Sequence, residues 1–482
     1  MGTEPRQVAV IGGGISGLTT AWLLKKAGVD VCLLEAAPVV GGCMRTDRRD
    51  GFLLEKGPFN VMVRDPAFES LLEDLSDDVA VVSADRAAKR RYIYRRGALC
   101  ALPGNPLALA TTRLLSLRGR LRLLAGLVVS RRGGPFDETL EQAATRRFGR
   151  EVADTFISAA ISGIYAGDIS QLTLKACFPN VARIDREVRS IIGFGLGKAL
   201  GSMRNRKKRR PRRWRGLVNF DGGLGALSDA LGKRLGPDHL VGCQVRKIER
   251  TNVGHDVTFQ RGSEGVQTLS FRQIVVALSA SGASRLLTPV LPEVGNLLGT
   301  IESATMVVLN LGFRRDDVGH PLDGFGFLVP RNEPDFPLMG MLWADSVFPH
   351  HAPEGRRLLR VFIGGPRDPS AADRSDAELV GMTMEAVREL LQLHGDPCLV
   401  DICRHKAAIP QYHQGHTEKI ARIRGAVGRV PGLHLVGNYL EGVSLNDCVR
   451  VAARVADEVA QEANSHRGVG AAARNMEEVI AS

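Results

Sequence analysis

The chain has 482 residues, a length that outgrows one simple core and suits two or three interleaved domains. Its 44% hydrophobic and 24% charged residues are ordinary for a globular protein, and no apolar run approaches the roughly 18 residues of a membrane span, residues 123–129 being the longest near candidate. The net charge of +12 is mostly one local event, because residues 204–215 carry nine basic groups and no acid.

Residues 8–35 form one dinucleotide-binding unit. The apolar run 8–11 predicts a buried parallel strand, Gly12-x-Gly14-x-x-Gly17 opens a helix, and 31–34 predicts a second buried strand ending in Glu35. In such a unit Gly12 permits the tight turn, Gly14 lets backbone approach a pyrophosphate, and Gly17 lets the helix pack on the strand. The helix N-terminus offers free N–H groups to the phosphates. Glu35, eighteen residues past Gly17, is placed to accept hydrogen bonds from a ribose. Gly13, Ile15 and Ser16 complete the loop, and Ala36 follows the acid. Gly41-Gly42-Cys43-Met44-Arg45-Thr46 and then Glu55-Lys56-Gly57-Pro58, continued by Phe59 and Asn60, read as loops running close over a flavin, which favours FAD over NAD. The first strand starts almost at once, so no secretory signal is expected.

Residues 92–210 read as largely helical, with Asp137-Glu138-Thr139 capping a helix through Phe148 and 151–160 continuing the pattern. Within it, 113–132 alternates leucines with basic groups and holds no acid, the character of a helix lying in a bilayer surface. The 204–215 block reads either as a solvated insertion or as attraction to an anionic membrane surface, where each basic group contributes roughly 1 kcal/mol. Nucleic acid is disfavoured as a partner, because Trp214 is the block's lone aromatic. A strand at 218–220, the turn Asp221-Gly222-Gly223, a helix at 227–235, strands at 239–248 and 257–259 and a buried strand at 274–277 return the chain to the flavin domain. Strands at 306–313, 326–329 and 358–363 predict the sheet of a substrate domain. A strand over 435–438 running into the Gly437-Asn438 turn and a helix at 447–463 bring the chain back to the cofactor, and the last dozen residues are expected to fray.

The expected fold is therefore α/β. It comprises a Rossmann-like FAD-binding domain of the flavin amine oxidase/glutathione-reductase type (1–85, 216–285 and 425–464), a helical membrane-associated domain (92–210), a mixed-sheet substrate domain (286–424) and a flexible tail (465–482). The eight cysteines are scattered without a CxxC pair, which suits reduced thiols in a cytoplasmic protein; even the closest pair, Cys398 and Cys403, is not expected to bind metal.

Longer motifs carry a resemblance. These are Arg91-Tyr-Ile-Tyr94 with Ala98-Leu-x-x-Leu-Pro103, Ser162-Gly-Ile-Tyr-Ala-Gly-Asp168, Gly324-Phe-Gly-Phe-Leu-Val-Pro330, Ile409-Pro-Gln-Tyr412 with Gly415-His416, and Gly442-Val-Ser-Leu-Asn-Asp-Cys448. In this order, from residue 7 to about 460, the chain resembles the FAD-dependent, oxygen-dependent porphyrinogen oxidase family, the protoporphyrinogen oxidases. The resemblance implies non-covalent FAD and removal of six electrons and six protons from protoporphyrinogen IX. Electrons would pass to O2 in three rounds with release of hydrogen peroxide, as a step of haem biosynthesis. A relative that oxidises coproporphyrinogen shares most of these motifs, and the Asn446-Asp447-Cys448 ending looks more like the protoporphyrinogen branch.

The resemblance also assigns roles. Gly163 would lie against the reacting carbon, Arg91 would grip a propionate, and Phe325 and Leu328 would clamp the ring. Phe362 stands where family members can carry methionine, and Ser162 where they can carry arginine; both departures bear on substrate fit. Val245 would lie near the adenine, with Gly437, Asn438, Val443, Ser444 and Leu445 around the flavin. A guanidinium fork suits a carboxylate better than an ammonium does. Arg90, in the run Lys89-Arg90-Arg91, remains open as a slip of one register, and Phe325 and Leu328 also read as plain core. The implied partners are the porphyrinogen, O2 and an anionic membrane at the inner face of the cell membrane, with a homodimer and hand-over of product to a ferrochelatase as further options. A flavin amine oxidase or carotenoid desaturase shares the N-terminal features, and a flavin or porphyrin carrier would use the same residues without turnover.

Overall fold

The computed structural model describes residues 5–104, 108, 111–128, 134, 136–187, 213–214, 216–262 and 264–481. Val8, Ala9, Val10 and Ile11 are all buried, as are Val31 to Leu34. Strands apolar on both faces need cover on both sides, which is where parallel strands sit. Arg6–Ile11 pairs in parallel with Val31–Leu34 on one side and with Val266–Val276 on the other. His239–Leu240 adds to Val31–Leu34, and Leu433–Leu435 pairs with Ile274 to Val276. Segments from remote parts of the chain thus close one sheet. The N-terminal half of Val266–Val276 continues into an antiparallel ribbon with His255–Arg261 and Cys243–Arg250. The strand expected over 239–248 is two strands, broken at Gly242, which adopts φ +69°. Helix Ile15–Lys26 packs against Gly225–Leu235 and the C-terminal helix.

The second sheet is mixed. Its order is Leu399–Pro410, Ser303–Arg314, Arg356–Gly364, Gly340–Trp343, Gly326–Leu328, Tyr92–Arg95 and Ala98–Ala101. Every pairing is antiparallel except that of Gly326–Leu328 with Tyr92–Arg95. The hairpin at its edge corrects the helical reading of 92–210. Arg96 and Gly97 both take positive φ (+48° and +79°), the two-residue turn whose twist matches paired strands. The hairpin carries Arg91 to the rim of the sheet.

Elsewhere between 117 and 187 the described residues are mostly helical. Thr139 and Gln142 form a reciprocal cap at the start of Leu140–Phe148. Next comes a continuous helical run, Arg150–Val152 and Ser158–Tyr165, joined by a π-helical turn at Ala153–Ile157. That wide turn is held from the loop that follows Gly326–Leu328: Asn332 donates to Thr155 Oγ1 at 3.2 Å, and Arg331 Nε donates to Asp154 at 2.9 Å. Helix Leu117–Val128 buries Gly119, Leu123 and Gly126 and leaves Leu117, Leu121 and Val128 exposed at 67%, 60% and 56%. The rest of the expected amphipathic stretch, 129–132, and basic residues 204–212 and 215 lie outside the described residues.

The C-terminal helix spans Leu445–Ala481, well past its expected end at 463, so the tail 465–482 is not structureless through residue 481. Its alanines, glutamates and arginines are good helix formers and no proline interrupts them. No described helix is long and apolar enough to cross a membrane.

Candidate active site

The glycine loop between Arg6–Ile11 and Ile15–Lys26 is shaped by close approach. Gly12 adopts φ +109°, and a Cβ on Gly17 would overlap the Gly12 carbonyl oxygen. Glu35 turns back on this loop: Oε2 accepts from the Gly13 N–H at 2.5 Å and Oε1 from the Ala37 N–H at 2.7 Å, across Ala36. A carboxylate has acceptor capacity left for a ribose hydroxyl. Val245 lies on the strand that begins with Cys243, whose N–H donates to the Glu35 carbonyl at 2.8 Å.

Gly14 differs from its neighbours, because a Cβ there would meet nothing within 4 Å. It is the N-cap of Ile15–Lys26 and makes no side-chain cap bond, so no cap side chain covers the N–H groups of that turn. Ile15 and Ser16 are buried behind it. Gly41 and Gly42 close the other side, with the Gly41 N–H donating to Gly13 O at 2.7 Å and a Cβ on Gly42 reaching 3.2 Å from the Gly14 Cα. A space framed by backbone N–H groups at a helix N-terminus fits a pyrophosphate. The residues present therefore suit the dinucleotide expected from the sequence.

Cys43 and Gly57 bring the next two loops together, since a Cβ on Gly57 would strike the Cys43 carbonyl. Pro58 and Asn60 are half-buried, whereas Phe59 is core: its ring lies 5.4 Å from Phe348 and 5.2 Å from His351, and Asn219 donates to its carbonyl at 2.8 Å. At the C-terminal end, Gly437, Asn438 and Val443 lead to Ser444, whose Oγ accepts from the Asp447 N–H at 3.2 Å and so caps the helix that starts at Leu445. Asn446 anchors the loop at 62–65, accepting from the Arg64 N–H at 3.0 Å and donating to Met62 O at 3.0 Å. The Asn446-Asp447-Cys448 ending thus organises a helix terminus.

The substrate-side residues converge from two layers. Gly163 is exposed near the end of Ser158–Tyr165, where a Cβ would lie 3.0 Å from Leu328 Cδ2 and 3.3 Å from Cδ1. Leu328 also faces Gly340, where a Cβ would approach it to 3.1 Å. Arg91 stacks its guanidinium over Phe325, 5.1 Å from the ring centroid, and makes no ion pair among the described residues. Arg90 is instead paired with Asp323, which also accepts from the Tyr92 hydroxyl at 2.8 Å. This geometry favours Arg91 over Arg90 as the cation free to meet a ligand. Phe362 belongs to a neighbouring cluster with Phe325 and Phe59.

Arg360 near these loops escaped the sequence reading, and Arg45 and Glu55 entered it only as members of their motifs, without a role of their own. Arg360 is fully buried between the rings of Phe59 and Phe362, at 5.6 and 5.4 Å from their centroids, and donates to Gly57 O. Burial pulls its guanidinium down to about 10, so it stays cationic. Glu55, also buried, accepts from Thr46, Asn219 and the Leu224 N–H, and desolvation pushes its carboxyl above the ordinary range. Arg45 has its Nε buried without a partner. An arginine inside an apolar strand, or an acid at the end of one, gives no periodic signal that would single it out.

The model for the flavin-containing amine oxidoreductases matches residues 15–460. The chain belongs to this family. FAD is its cofactor. Within the flavin-containing amine oxidoreductases the chain falls with the porphyrinogen oxidases. It is 32% identical to the chloroplastic protoporphyrinogen oxidase of Nicotiana tabacum, over 93% of this chain and 84% of the relative. It is 28% identical to the coproporphyrinogen III oxidase of Bacillus subtilis, over 93% of this chain and 97% of that protein. A crystal structure from Exiguobacterium, provisionally labelled a protoporphyrinogen oxidase, shares the fold with a TM-score of 0.79 at 24% identity, covering 96% of this chain and 100% of that one. The α/β architecture with its two seven-stranded sheets is that of this family.

Proposed function

We propose that this chain oxidises protoporphyrinogen IX to protoporphyrin IX, passing six electrons and six protons to three O2 and releasing three hydrogen peroxide. Two observations carry the reading: Gly163 facing Leu328, and the Arg91 guanidinium, without an ion pair among the described residues, over Phe325 three residues before Leu328 in the chain. A flat macrocycle needs an apolar face, and its propionates need a cation at the rim. The redox chemistry, hydride acceptance from the substrate and electron return to O2, would be supplied by bound FAD. The other tasks fall to the chain. Gly163 presents no side chain, so a ring can come close to backbone beside Leu328. Phe325 and Leu328 supply apolar area and keep water from the reacting carbon. Arg91 orients the ring through a forked contact to a carboxylate. Gly12 to Gly17, Glu35 with Ala36, the loops at 41–43 and 57–60, Val245 and the segment 437–445 hold the cofactor non-covalently.

A second reading, oxidation of coproporphyrinogen III, is supported by the name of the Bacillus subtilis relative. The two substrates differ in carboxylate number, so the rim cations decide between them. The exposed leucines of Leu117–Val128 support docking on the inner face of the cell membrane, from which a poorly soluble product reaches a ferrochelatase.

The test offers holoprotein both porphyrinogens with O2 while porphyrin fluorescence and peroxide are followed. Three peroxides per porphyrin, and a higher kcat/KM for protoporphyrinogen IX, are expected. Tight porphyrin binding without peroxide would make the chain a carrier. Preference for the four-carboxylate substrate would select the second reading.

A further inference from the structure

The segment 409–416 crosses between the Gly163 helix and the C-terminal cofactor segment, and one side chain touches both. Tyr412 is 1% exposed. Its hydroxyl accepts from the Gly442 N–H at 2.8 Å and donates to the Asn438 carbonyl, so a single phenol pins both ends of the loop 438–442. That loop runs into the Ser444 cap and the helix at Leu445. The Tyr412 ring stacks on His416 at 4.1 Å and 14°, and His416 Nε2 meets the carbonyl of Tyr439 inside the same loop at 3.0 Å.

On the other side the Tyr412 ring packs edge-on against Tyr165 at 5.8 Å. The adjacent Gln411 donates to the Tyr165 carbonyl at 2.8 Å. Tyr165 ends the helix that carries Gly163. We propose that Tyr412 is a positioning residue whose hydroxyl sets the 438–442 loop, and with it the start of the Leu445 helix, relative to the Gly163 wall. The inference rests on FAD being held by residues 437–445.

Removing the hydroxyl leaves the half-buried Gly442 N–H without its partner, which costs a loop its register more than it costs the fold. Tyr412→Phe keeps the ring contacts with His416 and Tyr165. Tyr165→Phe is the matched control, because its equally buried hydroxyl donates to Cys177 O at 3.1 Å, away from the cofactor segment. Apoprotein of wild type and both variants is titrated with FAD, and melting temperature and flavin midpoint potential are read on the same samples. Tyr412→Phe should weaken FAD binding roughly tenfold and shift the potential. Tyr165→Phe should lower the melting temperature by a similar amount while binding FAD within about twofold of wild type. Equal loss of FAD affinity in both variants, or wild-type affinity and potential in Tyr412→Phe, would overturn the proposal. Failure of wild-type apoprotein to take up FAD would remove the cofactor assignment on which it rests.

Discussion

Replacing Arg91 by alanine removes a cation that makes no ion pair among the described residues and that the proposed function sets at the substrate rim. The guanidinium sits over Phe325 at 5.1 Å, and the side chain is exposed, so the ligand-free protein loses only a ring contact of about 0.5–1 kcal/mol. Stability should therefore change little. A charge-assisted contact with a carboxylate is worth about 1.5–3 kcal/mol. Because Arg91 lies at an exposed rim, the lower half of that range applies, a rise in KM of roughly 10- to 40-fold. The contact is made equally to bound substrate and to the transition state, so kcat should hold. Arg91→Lys should recover part of the loss, as a point charge without the fork. Arg90→Ala breaks only the exposed pair with Asp323 and should raise KM less than about threefold. Steady-state kinetics of the three variants, with flavin content checked by absorbance, decides the matter. An unchanged KM in Arg91→Ala, or a larger effect from Arg90→Ala, would refute the reasoning.

Gly14→Val should give folded, colourless protein, since a Cβ there meets only open space, whereas Gly17→Val should fail to fold; flavin retained by Gly14→Val would contradict the cradle. Burial pulls His416 down to about 4 and His351 to about 3 from an ordinary 6.5. Both must stay neutral in the fold, so their contribution is complete above about pH 6.5 and drains as pH falls toward 4. Glu441, held down to about 2 by Arg454, Arg450 and Arg424 against its own desolvation, begins to cost stability only below about pH 4.5. Melting temperature should thus already fall between pH 6.5 and 4.5, and a flat profile there would argue against neutral buried imidazoles. Leu117→Ser with Leu121→Ser should reduce binding to vesicles at least tenfold while detergent activity holds, each leucine contributing about 1 kcal/mol or more on partial burial. Undiminished binding in a vesicle sedimentation assay would rule this face out as the docking surface.

The glycine unit was legible because each element has its own pattern: an apolar run, three glycines at fixed spacing, an acid at the end of the next strand. The mixed sheet was legible in Ser303–Arg314 and Arg356–Gly364, whose apolar centres are long. It was invisible at Tyr92–Arg95 and Ala98–Ala101, where Arg91, Arg95 and Arg96 break the apolar pattern of a short edge hairpin. Gly163 and Leu328 lie 165 residues apart, and only the packed layers show that one faces the other. Tyr412 gave no signal beyond its motif, because what it does depends on two backbone groups that the sequence cannot place. Arg360 was hidden for a related reason: a cation on a buried strand reads as a break in the pattern until its flanking rings are seen.

The π-helical turn at Ala153–Ile157 acts as a phase shift. One extra residue in a helix advances everything after it by about 100° and 1.5 Å. With the turn in place, position 163 comes round to Leu328. Tightening 153–157 to regular 3.6-residue winding at unchanged length would rotate the bare face at 163 away from Leu328, whereas deleting one residue there would leave its phase nearly as it is. The orientation of position 163 is thus written six to ten residues upstream, so on the proposed reading a change at Thr155 or Asn332 can alter substrate fit without touching Gly163 or Leu328.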